Sequence, residues 1–113
     1  MAMSQKKLHS SLQLTQTAAG TPGVYVVPSA TSTIVKQIVL CNTTASNATV
    51  DIHLVASGGT AGVVNALIYN MAVDAQSTMF VNVAAVMGVG DFISAKANVA
   101  SAVTMHTFGI EES

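Results

Sequence analysis

The sequence predicts an all-β chain: a single-domain antiparallel β-sandwich, jelly-roll-like, of about eight strands with an N-terminal arm. Three observations carry this. Apolar residues recur with a period of two, as in "ATVDIHLV" at 48–55, and a helical period is hard to find. Turn signals punctuate the chain at roughly ten-residue spacing. No segment opens with a convincing helix cap.

The elements follow in order. Residues 1–22 read as an N-terminal arm or edge strand, with "LHSSLQLT" at 8–15 extended, and residues 23–113 as the sandwich domain. "GVYVVP" at 23–28 is a short strand ended by Pro28, which has no N–H for a ladder. After the turn "PSATS", "TIVKQIVLC" at 33–41 is a central strand and "ATVDIHLVA" at 48–56 its hairpin partner. "ASGGTAG" supplies Gly58, Gly59 and Gly62 for the next turn. "VNALIYNM" at 64–71 and "STMFVNVAAV" at 77–86 are strands separated by the polar turn "VDAQS". "MGVGD" places Gly88 and Gly90 before Asp91, and "DFISAKAN" at 91–98 with "AVTMHTFGI" at 102–110 forms a last pair.

The faces of two strands differ. In 48–55, Val50, Ile52 and Leu54 point to the core, and Thr49, Asp51 and His53 to solvent. In 33–41, Ile34, Ile38 and Leu40 share one face, while Val35, Val39 and Cys41 make the other apolar too. An antiparallel sheet often has one wet face, so this second face needs a cover. The suspected interface is Leu8, Leu12 and Leu14 of the arm with Val35, Gln37 and Val39, the arm docking on a neighbouring chain or a larger particle.

Composition points the same way. The apolar half is small in volume, with 17 Ala and 16 Val against 3 Phe, 2 Tyr and no Trp. Only 8% of residues are charged and none is Arg, where soluble domains carry roughly 25% charged residues. A surface so poor in charge is expected to be covered by protein, as a homo-oligomer, with a trimer the expected state. Phosphate recognition runs on Lys and Arg clusters, and Lys6 and Lys7 are the one adjacent pair, so no nucleic-acid partner is expected. No apolar run approaches the roughly 18 residues of a membrane span, and no membrane partner is expected. The start "MAMSQKKLHSSLQLTQ" lacks the apolar stretch of a secretory signal, which points to synthesis in a cytoplasm.

Reactive groups are few and scattered. Asp51 and His53 lie two apart on one strand face, which is half a metal site or a general-base pair. Zinc typically takes about four ligands and no further His or Cys stands at ligand spacing, so they read as an exposed polar pair. His106 reads as a surface or interface residue and His9 as part of the arm. Cys41 faces His53 across the predicted hairpin, but no third group orients them, and the thiol reads as a buried, inert hydrophobe. No Ser sits in a G-x-S-x-G elbow. "GVGDF" lacks the Gly spacing and Lys of a phosphate loop. The sequons at Asn42 and Asn47 read as turn residues, and Glu111 and Glu112 as a solvated tail. The expectation is no enzyme, with no catalytic residues, no cofactor and no metal.

The pieces "VYVVPSATSTIVKQIVLCNTTASNATVDIHLVASGGTA" and "ALIYNMAVDAQSTMFVNVAAVMGVGDFISAKANVASAVTMHTFGIEE" resemble a group of small tailed-bacteriophage virion proteins. The likeness runs from residue 24 to about 112 and rests on an ordered set. That set is Pro28, Val35-Lys36, Cys41-Asn42-Thr43, Gly90-Asp91, Ile93 and the closing Gly109-Ile110-Glu111. Ser29-Ala30 departs from it, since the group carries a Gly after the Pro, and a different turn is expected there. The resemblance implies a β-sandwich on a phage particle, made in the host cytoplasm and located in the virion. Its implied partners are copies of itself and the major capsid protein or other virion proteins. The leading expectation is decoration or cementing of the outer capsid. Head-fibre, tail-fibre, neck or baseplate placement, or a carbohydrate-binding module, are the alternatives.

Overall fold

The computed structural model describes residues 3–9, 12–14, 24–99 and 102–112. Nine strands form in chain order: β1 (Met3–Lys7), β2 (Leu12–Gln13), β3 (Tyr25–Val26), β4 (Ser32–Asn42), β5 (Ala48–Val55), β6 (Ala66–Val73), β7 (Thr78–Met87), β8 (Phe92–Ala97) and β9 (Val103–Glu112). The only helical element among the described residues is a 3-10 turn at Val63–Asn65. The first sheet has the order β1-β9-β4-β7, with β2 also pairing β9, and the second β3-β8-β5-β6. Every pairing is antiparallel. β1 and β2 occupy one strand position in two pieces, and successive strands otherwise alternate between the sheets except from β5 to β6. This is the jelly-roll winding of an eight-position sandwich, as the sequence predicts.

The pairing within it differs from the sequence reading. β4 and β5 do not form a hairpin, because they lie in opposite sheets, and so do β8 and β9. Residues 43–47 leave the first sheet and enter the second, a step of about 10 Å that five extended residues span easily. Of the two readings of the N-terminal segment, arm or edge strand, the described residues 3–7 and 12–13 take the second. β1 pairs along β9 from Lys7↔Phe108 to Met3↔Glu112, and β2 continues at Leu12↔Met105. The backbone N–H groups of Leu8 and Leu14 donate to the carbonyls of Thr107 and Val103.

A β-bulge decides the faces of β4. Its register with β9 slips by one between Val35 and Gln37, which inserts Lys36 and reverses the alternation. Val35 is therefore fully buried with Ile38 and Leu40, and Ile34 turns outward at 36% exposed, the reverse of the sequence assignment. Between the sheets, Val35, Ile38 and Leu40 meet Val50 and Ile52 of β5, Ile93 of β8, Val103 and Met105 of β9, and Leu8 and Leu14. Each such side chain contributes about 1.5–3 kcal/mol on burial. In the turn after Pro28, Ala30 takes a φ of +55°, a conformation that Gly adopts without strain.

Candidate docking face

The groups that could carry acid–base chemistry serve the fold. Asp51 and His53 are buried, not exposed, and they turn to different partners. Asp51 Oδ1 accepts the N–H of Asn70 at 2.7 Å, and Oδ2 lies 3.7 Å from Lys96 Nζ. Asn70 sits at φ +52° where the β5–β6 register slips, so the carboxylate holds an irregular strand in place. His53 Nδ1 donates toward Gly62 O at 3.0 Å and Asn65 Oδ1 at 3.1 Å. Both acceptors lie in the connection after β5. Cys41 and His53 stand in opposite sheets, and the thiol is half-buried on the outer face of β4, not inside the core. Among the described residues no three of His, Cys, Asp and Glu gather as metal ligands.

Turns close on their own side chains. Buried Asn42 donates through Nδ2 to Ser46 O and Val73 O, and its Oδ1 accepts from the N–H and hydroxyl of Thr44. In the Gly88–Asp91 turn the Asp91 carboxylate accepts the N–H of Gly88 at 2.9 Å and of Ser57 at 3.0 Å. Donors that a phosphate loop would offer to an anion already hold an internal one. Gly90 has φ +83°, and a Cβ there would stand 2.6 Å from Ser57 Oγ.

Glu111 is not a solvated tail. Tyr25 Oη donates to Glu111 Oε2 and accepts from Thr33 Oγ1 at 2.8 Å, and Lys6 Nζ lies 3.0 Å from Glu111 Oε1. This links β1, β9 and β4 of the first sheet to β3 of the second. The Tyr25 hydrogen bond, with help from Lys6, holds the Glu111 carboxyl below its ordinary range against the opposing effect of burial. Burial, and then the Glu111 hydrogen bond, push the Tyr25 hydroxyl up to about 12.

The outer faces of the two sheets are unlike. On the second, Val55, Phe92, His53 and Ser94 are buried although they point away from the core. His53 and Asp91 fasten the connection at 56–65 to that side. The outer face of the first sheet has no such cover from the described residues. Register places its side chains in rows: His106–Val39–Phe80, Phe108–Gln37–Asn82 and Ile110–Ile34–Val86. Phe80 is 64% exposed, Val86 76% and Phe108 37%. No acid or lysine stands in these three rows. Gln37 Nε2 donates to Asn82 Oδ1 at 3.1 Å, and the His106 ring stacks parallel to Phe108 with centroids 6.5 Å apart.

Of the suspected interface residues, Gln37 and Val39 lie on this face. Val35, Leu8 and Leu14 do not; they pack inside the chain's own core. Leu12 pairs through its backbone with Met105. Sequence reasoning missed Ile34, Phe80, Val86 and Phe108. The alternation of "MFVNVAAV" and "HTFGI" carries that signal, but it is readable only once β7 and β9 are known to flank β4. These features define a jelly-roll sandwich whose first sheet has an outer apolar face that no described residue covers, and whose second sheet is partly covered by the connection at 56–65 while Leu67 and Tyr69 stay exposed on β6. No protein-family profile, curated protein or solved structure matches the chain.

Proposed function

We propose that the chain is a non-enzymatic structural protein that docks on other protein through the outer face of its first sheet. The observation that carries this is the apolar surface of Ile34, Phe80, Val86 and Phe108, which no described residue covers, on a chain with 8% charged residues. Contiguous exposed apolar patches mark interaction sites. The likeness of residues 24–112 to small tailed-phage virion proteins supports a place on a phage particle, and within that reading it decorates or cements the outer capsid as a homo-oligomer, a trimer. A sugar platform is less well supported, because the most exposed aromatics, Tyr69 and Phe80, stand on β6 and β7 in different sheets. The test is quantitative mass spectrometry of purified particles. Hundreds of copies per particle are expected; a few copies would move the protein to the neck, tail or a fibre, and none would refute the virion reading.

A further inference from the structure

We propose that one end of the docking face, where β1, β9 and β4 meet, is a subsite for an acidic protein segment with an apolar side chain beside its carboxylates. The inference rests on the reading of this face as a docking surface and adds the chemistry of what it receives. An open groove of about 470 Å³ lies there, lined by Lys6, Lys7, Lys36, Phe108, Gly109 and Ile110 with Gln5. Its size falls within the roughly 300–1,000 Å³ of ligand-sized clefts. The whole chain has four cationic side chains, and three of them line this groove, with no carboxylate in the lining.

Local structure brings the three together. Lys7 stands opposite Phe108 in the β1–β9 register and so shares its outer face. Lys36 is the residue that the β4 bulge inserts beside the same position of β9. Lys6, on the other side of β1, shares its charge with Glu111 at 3.0 Å. Away from this end the chain carries Lys96 against Asp51, Asp74 and Asp91; here Glu111 pairs with Lys6 and Glu112 follows it on β9, so the net positive charge of this end rests on Lys7 and Lys36.

The chemistry selects the occupant. Phe108 and Ile110 offer an apolar floor, which a polyphosphate backbone cannot use and a Leu- or Phe-sized side chain can. A single nucleic-acid strand presents a charge about every 3.4 Å, and tracking it takes a longer run of cations than one groove provides. Without Arg there is no planar fork for bidentate phosphate recognition. Two ammonium groups, Lys7 and Lys36, beside an apolar floor match carboxylates flanking an apolar residue.

The test is an NMR titration of the full chain with a synthetic peptide of alternating leucine and glutamate. Saturable amide shifts are expected at Lys7, Lys36, Phe108 and Ile110, weakening as salt is added. The glutamine counterpart of the peptide, and the double variant Lys7→Gln with Lys36→Gln, should each bind about tenfold more weakly, two modest surface charge pairs being enough for that. The variant's unchanged melting temperature serves as the control for folding. No saturable shift, equal binding of the glutamine peptide, or tighter binding of an oligothymidylate would overturn the subsite. Self-association and particle binding of Phe80→Asp separate the two ideas. If Phe80→Asp abolishes both and the peptide fails to bind, the subsite falls and the docking face stands; if Phe80→Asp changes neither, the docking face falls.

Discussion

Gly109 shows how tightly single positions are set. It faces inward on β9 opposite Val35, beside the bulge in β4. A Cβ there would overlap the carbonyl oxygen of Ile34 and approach Leu8 Cδ1 at 3.1 Å. Backbone in a sheet cannot step aside cheaply, so Gly109→Ala should cost about 1–3 kcal/mol, read from urea unfolding. Glu111 gives a second residue-scale prediction. Its folded pKa is depressed, so the stability it adds is present above its ordinary value of 4.5 and is lost as pH falls through the lower folded value. The melting temperature of the parent should drop more steeply below that pH than that of Glu111→Gln; parallel curves would refute the role given to Tyr25 and Lys6. The inward alternation of Val103, Met105, Thr107 and Gly109 extends to Glu111, which the sequence reading places outside the strand as a solvated tail. Its partners were not legible in the sequence, because Tyr25 and Lys6 reach it only through the pairing of distant strands. Asp51 and His53 show the same limit: their shared face was readable, but not the connection that buries His53.

Strand positions were largely readable from alternation and turns, and strand partners were not. β4 at Ser32–Asn42 and β5 at Ala48–Val55 fall close to the predicted 33–41 and 48–56. Alternation reports which residues are inside, and a five-residue connection serves a hairpin or a crossing between sheets equally well. The N-terminal segment is the element whose meaning changes most. Read from sequence as an arm or edge strand, with its leucines suspected of reaching another chain, it places Leu8 and Leu14 in this chain's core and supplies the ladder for one side of β9. Deleting residues 3–14 should therefore abolish the cooperative thermal transition. Leu14→Ala alone should cost about 2–5 kcal/mol. A truncated chain that melts like the full one would return these residues to the status of an arm.

At the scale of the whole molecule, a jelly roll seals its interior between two sheets and leaves two outer faces to be managed separately. The chain's own connection at 56–65 covers part of the second sheet's, near His53 and Asp91, while Leu67 and Tyr69 stay exposed on β6; the described residues leave the first sheet's apolar and open. Phe80 is central to the test of that asymmetry, because its side chain is 64% exposed and stands outside the core. Phe80→Asp should change the stability of the isolated chain by no more than about 0.5 kcal/mol, as surface substitutions usually do. It should abolish self-association and particle binding, since an unpaired carboxylate would then have to be desolvated at the centre of the contact. Cys41 supplies an independent readout from the same face, half-buried two positions along β4 from Val39. Its alkylation by a maleimide should proceed in the isolated Phe80→Asp chain and slow markedly in the assembled parent. Equal alkylation rates in free and assembled protein would mean that the assembly uses some other surface, and the open face of the first sheet would lose its role.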